Sequence, residues 1–177
     1  TVLAAEQLTA ALPDGADNRL LQMRYALTHP TNENILIVMG LGQSDEVYLF
    51  QVDLAADTVE LLFDLDNSRG EHTIGFSPDG RFLAATGALH LETTTFNQQD
   101  YFGALFLYDF AESDLQTLLV NTDVFLPAYT FDWSRDGNWL AVSRDTGMLS
   151  LVAPAYDYQQ SIPHEAGVCT SLAWVNP

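Results

Sequence analysis

A short phrase recurs along this chain and limits what it can fold into. Phe76-Ser77-Pro78-Asp79-Gly80 runs into Arg81-Phe82-Leu83-Ala84-Ala85-Thr86. Trp133-Ser134-Arg135-Asp136-Gly137 runs into Asn138-Trp139-Leu140-Ala141-Val142-Ser143. Two looser copies flank them. Leu27-Thr28-His29-Pro30 leads through Thr31-Asn32-Glu33-Asn34 into Ile35-Leu36-Ile37-Val38, and Trp174-Val175-Asn176-Pro177 starts the phrase again. Each copy reads as apolar strand, tight turn, apolar strand, because Pro presets φ and Gly accepts positive φ in the turn. Self-similarity at such a period is the signature of stacked repeats, each burying its faces on its neighbours.

Each unit reads as four strands joined by turns, an antiparallel meander. In the second unit the strands fall at residues 73–76, 81–86, 104–109 and 115–120, with a turn at Ala111-Glu112-Ser113-Asp114. In the first they fall at 23–27, 35–39, 46–52 and 58–63, with a turn from Asp53 to Asp57. The third runs 129–133, 139–143, 148–152 and 156–161, and residues 170–174 open a fourth. Residues 1–12 have helical spacing, but repeat phase places residues 1–5 as the last strand of a preceding unit. The expected organisation is therefore one all-β domain over 1–177: a strand and linker at 1–21, units at 22–63, 72–120 and 128–161, and the start of another at 170–177.

FSPDGRFLAATG and LFLYDFAESDLQTLL resemble the repeats of TolB-like β-propellers and of their relatives, the WD-repeat propellers. The segment HEAGVCTSLAWVNP is similar to the opening of a WD repeat, with His164 ten residues before Trp174. The resemblance covers nearly everything from Met23 onward. It departs from the WD pattern where Val52-Asp53 and Tyr108-Asp109 stand in place of Trp-Asp, and where His72 sits only four residues before Phe76. The TolB-like reading is the better one. It implies blades of four-stranded antiparallel meanders, about three full blades plus flanking strands. Phe76 and Trp133 are 57 residues apart and Trp133 and Trp174 are 41 apart, against ~40–45 for a typical blade. The excess falls at residues 87–103. Propeller rings close with about four to eight blades, and the chain opens on Thr1 and stops within the phrase. The rest of the ring is therefore expected from a longer parent chain or, as the alternative, from a second subunit.

Charge narrows the partners. Six basic residues, all Arg, stand against 24 acidic ones, for a net charge of -18. Such a surface repels phosphate backbones and anionic lipid, so neither nucleic acid nor membrane is an expected partner. No apolar run approaches the ~20 residues of a membrane span. A Lys-free acidic surface fits a saline or extracytoplasmic setting, and GC-rich codon usage with ordinary solubility explains it about as well. The expectation leans slightly to a periplasmic or extracellular site. Cys169 is the single cysteine, so no internal disulfide forms, and its strand context suggests a small buried hydrophobe.

In a propeller the first-to-second and third-to-fourth turns share one end, and the remaining loops share the other. That second end carries residues 40–45, 87–103 and 144–147 and the inter-unit stretches 64–71, 121–126 and 163–167. Long loops on a rigid scaffold are where binding usually sits. The best candidate is the 87–103 segment, with His90, Glu92, Phe96, Gln98, Gln99, Asp100, Tyr101 and Phe102, aromatics beside amides and carboxylates. The alternative is a decorated loop packed on its own neighbours.

Asp64, Asp66 and Ser68 stand at positions one, three and five of a calcium loop, but Gly70 falls at seven and Gly75 at twelve, where a bidentate Glu is needed. A polar inter-unit loop is the expected role. His29, His72, His90 and His164 share no metal spacing, and neither a metal nor a cofactor is expected. Asp53, Asp79, Asp109 and Asp136 recur at repeat positions where turn chemistry accounts for them. Trp133, Trp139 and Trp174 fall at strand positions and are expected in the core. No catalytic residues are assigned. The expected function is a non-catalytic scaffold that binds a basic or polar protein or peptide through the loop-rich end. The alternative is a gating propeller domain of a larger enzyme, such as a prolyl-oligopeptidase-like peptidase.

Overall fold

The computed structural model describes residues 5–12, 22–42, 46–65, 73–91, 100–125, 130–144, 148–156, 158–163 and 172–175. A short helix, α1 (Ala5–Ala10), precedes three four-stranded sheets. The first holds β1 (Gln22–His29), β2 (Asn32–Leu41), β3 (Val47–Asp53) and β4 (Thr58–Leu65). The second holds β5 (Ile74–Phe76), β6 (Phe82–Leu91), β7 (Asp100–Asp109) and β8 (Asp114–Phe125). The third holds β9 (Thr130–Trp133), β10 (Leu140–Arg144), β11 (Met148–Ala153) and β12 (Tyr158–Pro163), with a 3-10 turn at Pro154–Tyr156. In each sheet the strands pair in chain order and antiparallel. Among the described residues the fold is all-β, with three four-stranded β-propeller blades.

The repeated phrase builds one turn twice. The buried Ser77 hydroxyl accepts the Phe82 N–H (2.9 Å) and donates to Asp79 Oδ1 (2.6 Å). The same Asp79 oxygen accepts the Arg81 N–H, and the Gly80 N–H closes on the Ser77 carbonyl. Ser134, Asp136, Gly137, Asn138 and Trp139 repeat every one of these bonds. Gly80 and Gly137 both sit at positive φ, 78° and 72°. The third-to-fourth turns repeat as well. Asp53 Oδ1 accepts the Ala55 and Ala56 N–H groups, and Asp109 Oδ1 accepts that of Ala111. Asp57 and Ser113 close these turns at positive φ without glycine. In the third blade Pro154 occupies the place of Leu54 and Phe110, whose N–H groups bond back to β2 and to Arg81. Proline has no such donor, and the connection is a 3-10 turn instead.

Packing between blades makes the core. Ile37, Met39, Val47, Leu49, Phe63 and Leu65 of the first blade meet Ile74, Leu83, Ala85, Ala104 and Phe106 of the second. The second blade's other face, Phe82, Ala84, Leu105 and Leu107, meets Trp133, Leu140, Val142 and Val152 of the third. Phe82 stacks on Trp133 at 6.2 Å between centroids, and the Trp133 Nε1–H donates to the Gly75 carbonyl at 3.2 Å.

Three expectations change. Ala5 does not lie in a strand; it starts α1, and residues 1–4 lie outside the described residues. Leu8, Ala11 and Leu12 form a helical stripe packed on Val38, Tyr48, Phe50 and Val52, so burial of that stripe overrides repeat phase. Residues 87–91 and 100–103 of the expected loop are strand, and 92–99 lie outside the described residues. β6 continues to Leu91 and β7 begins at Asp100, in unbroken register from Phe82↔Asp109 to Leu91↔Asp100. β8 likewise runs to Phe125, through most of the stretch expected to link blades.

Candidate interaction face

The residue types that suggest chemistry gather at the end bearing the repeated turns, and they are occupied there. Arg81 holds Asp109 through two bonds, Nε–H to Oδ1 (3.2 Å) and Nη2–H to Oδ2 (2.8 Å), and its guanidinium lies 4.7 Å from the Phe82 ring centroid. The Arg81 guanidinium, helped by the Ala111 N–H, holds the Asp109 carboxyl below the usual carboxylate range. The Ser134 hydroxyl, and after it Asn138, does the same to Asp136. His29 reaches across from the first blade to the second. Its Nε2–H donates to the Gly80 carbonyl (3.1 Å), its Nδ1 accepts the Thr31 N–H (3.3 Å), and its ring meets the edges of Phe76 and Phe110. A carbonyl cannot donate, so in this bond Nε2 is the donor. Ser, His, Asp and Arg here fasten turns and bolt blades together. Asp53, Asp79, Asp109 and Asp136 have the turn role expected for them.

The opposite end is different. There β6, β7 and β8 run on past the last β5 pairing at Ala85 and form a three-stranded arm. Of the expected binding residues, His90 lies on β6 opposite Tyr101, Asp100 lies on β7 opposite Leu91, and Phe102 lies between Leu89 and Phe125. Glu92, Phe96, Gln98 and Gln99 lie outside the described residues. The arm therefore brings four of the eight onto a common sheet. At the same end of the first blade, the Gly42 N–H bonds the Glu46 carbonyl, and Glu46 Oε2 is buried with no hydrogen-bond partner among the described residues. Glu46 carried no signal in the sequence, being one more acidic residue beside Asp45.

Asp64 is exposed on β4, opposite Tyr48; Asp66 and Ser68 lie outside the described residues, so the calcium-loop spacing has no described geometry. Among the described residues no three His, Cys, Asp or Glu side chains could hold one metal ion. His72, His164 and Cys169 lie outside the described residues. Trp133 is in the core, as expected. Trp174 is not: it remains 38% exposed, with its backbone N–H on Asp132 Oδ2 (3.1 Å) and its Nε1–H on the Asp132 carbonyl (3.0 Å). Residues 172–175 have no strand pairing among the described residues, although residues 170–174 were expected to open a strand.

No protein-family model and no curated protein matches this chain in sequence. Solved structures do match in shape. A prolyl endopeptidase superposes with a TM-score of 0.62 at 12% identity, over 84% of this chain and 23% of its own. An acylaminoacyl peptidase from Pyrococcus horikoshii gives 0.57 at 12%, over 79% and 25%. Dipeptidyl peptidase 4 from Porphyromonas gingivalis gives 0.54 at 11%, over 81% and 26%. The chain spans about a quarter of the length of these structures, and what it shares with them is the β-propeller fold.

Proposed function

We propose that this chain is a section of a non-catalytic β-propeller that binds a protein or peptide through its loop-bearing end, with the three-stranded arm as the contact. The carrying observation is the extension of β6, β7 and β8 beyond the blade. Antiparallel strands that outrun their blade's first strand offer paired backbone beyond the four-stranded sheet. The turn end, by contrast, has its polar groups committed to holding turns. A net charge of -18 favours a basic or polar partner by steering and by repelling acidic ones. The paired aspartates at Asp53 and Asp109, which close the third strand where a WD repeat has Trp-Asp, support a TolB-like kinship for the repeats.

The test replaces residues 89–102 with an Asn-Gly turn, joining Ala88 to Gly103, which already face each other in register. Linear peptides selected from a random displayed library on the intact chain should be enriched in Arg and Lys and should lose binding to the trimmed chain. The trimmed chain should keep a cooperative melt. Undiminished peptide binding by the trimmed, folded chain would place the contact elsewhere.

A second reading has its own support. The superposition on prolyl endopeptidase, together with the quarter share of that chain, favours a propeller domain that gates substrate access in a longer enzyme. Coding sequence on either side of this segment distinguishes the two. A Gly-x-Ser-x-Gly hydrolase motif there supports gating, and further propeller repeats alone support the scaffold.

A further inference from the structure

The outer face of the third blade repeats, position by position, a face that already accepts a blade. On the second blade that face is Phe82 and Ala84 of β6 with Leu105 and Leu107 of β7, which pack on the third blade, and Thr86 follows in the same alternation. Register aligns these with Trp139, Ala141, Ser143, Leu149 and Leu151: Thr86 pairs Leu105 and Ala84 pairs Leu107, as Ser143 pairs Leu149 and Ala141 pairs Leu151. The residues are nearly the same, and Ala141 and Ser143 are buried as Ala84 and Thr86 are, but the neighbouring strand differs. Leu105 and Leu107 are 0% and 2% exposed, whereas Leu149 and Leu151 are only partly buried and Ile162 beside them is 38% exposed.

One contact of the next interface is already made. Trp133 of the third blade donates its Nε1–H to the carbonyl of Gly75, the residue before Phe76. Trp174 donates its Nε1–H to the carbonyl of Asp132, the residue before Trp133. The same bond thus recurs one blade further on, and it seats residues 172–175 where an innermost strand belongs. We propose that this face is the seat of a fourth propeller blade, of which the chain itself supplies the innermost segment. The occupant is a three-stranded antiparallel meander presenting apolar residues like Leu140, Val142 and Val152, and its first strand pairs with residues 172–175.

The seat is one-sided. At the other end of the chain, the first blade's outer residues Val38, Tyr48, Phe50 and Val52 are buried beneath Leu8 of α1. A second copy adding head to tail would have to displace α1, which points to a further blade as the occupant of the seat. This goes beyond the proposed function and holds whichever partner the arm takes.

The chain's own repeat supplies the probe. Residues 1–174 are continued by a second copy of residues 134–163, in a background where Trp133 and both copies of Trp139 are Phe. The added blade should shift Trp174 emission to the blue, cut its quenching by acrylamide severalfold and raise the melting temperature. A folded product with Trp174 as quenchable as in the native chain overturns the seat. A matched pair in the native chain tests it without the graft. Leu107→Glu should abolish the cooperative melt, and Leu151→Glu should lower the midpoint far less. Equal losses would mean that the face is already covered, and would overturn the proposal. A native chain that is dimeric by light scattering and made monomeric by Leu151→Glu would overturn it in favour of a second copy.

Discussion

Gly80 and Gly137 hold the same place in two identical turns, yet their surroundings differ. Both have positive φ, where a Cβ costs about 1–2 kcal/mol. At Gly137 an added Cβ would meet Pro78 Cδ at 3.5 Å, an ordinary contact. At Gly80 it would overlap the His29 ring, which would then lose its bond to the Gly80 carbonyl and its edge contact with Phe76. Gly137→Ala should therefore cost about 1–2 kcal/mol in urea unfolding, and Gly80→Ala about 1–3 kcal/mol more. In a His29→Ala background the excess at Gly80 should vanish, since the double-mutant cycle removes the clashing partner. An unchanged excess would show that backbone strain alone separates the two sites. The turn chemistry itself was readable, because Ser, Pro, Asp and Gly recur at fixed offsets. The His29 bolt was not, because its partner is 51 residues away and nothing local marks it.

Strands were legible where turns bounded them, as at Asp53 to Asp57 and at Ser77 to Gly80. They were misjudged where the boundary was compositional. Gly87 and Gly103 with the polar residues between them read as loop, yet β6 and β7 pair through both glycines as far as Leu91↔Asp100, since cross-strand pairing tolerates glycine opposite Ala104 and Ala88. α1 was the harder case. Its six residues hold one turn and a half of helix, too little to be stable alone. Its existence depends on the first blade's outer face, which no local pattern reports. That dependence makes a local prediction. Leu8 is fully buried, so Leu8→Ala should cost about 2–4 kcal/mol of docking. Because α1 packs, among the described residues, on β2, β3 and β4 of the first blade, hydrogen exchange should accelerate in α1 and on those strands, with β9 to β12 unchanged. Uniform acceleration across all three sheets would mean instead that α1 is integral to the cooperative unit.

For the whole molecule, charge sets the response to solution conditions. With 24 acidic and six basic residues the folded chain repels itself at neutral pH. Screening acts over roughly 10 Å at 0.1 M salt, so the melting temperature should rise with added NaCl at pH 7. The pH profile has two limbs of opposite sign. With so large an acidic excess, lowering the pH from 7 toward the isoelectric point near 4.1 reduces the net negative charge, and the smaller self-repulsion favours the compact state. Asp109 and Asp136 behave in the other direction. Their folded carboxyls lie below the ordinary value, so their contribution is complete above about pH 4 and is lost as pH falls through the folded value. Stability should therefore peak at about pH 5, not at neutrality. Asp109→Asn, which gives up the charged pair with Arg81, should lower the peak and flatten the acid limb while leaving the limb between pH 5 and 7 unchanged, as measured by urea titration at each pH. A profile that rises steadily from pH 5 to 8 would show that self-repulsion is too weak to matter, and that the acidic surface serves its partner more than it burdens the fold.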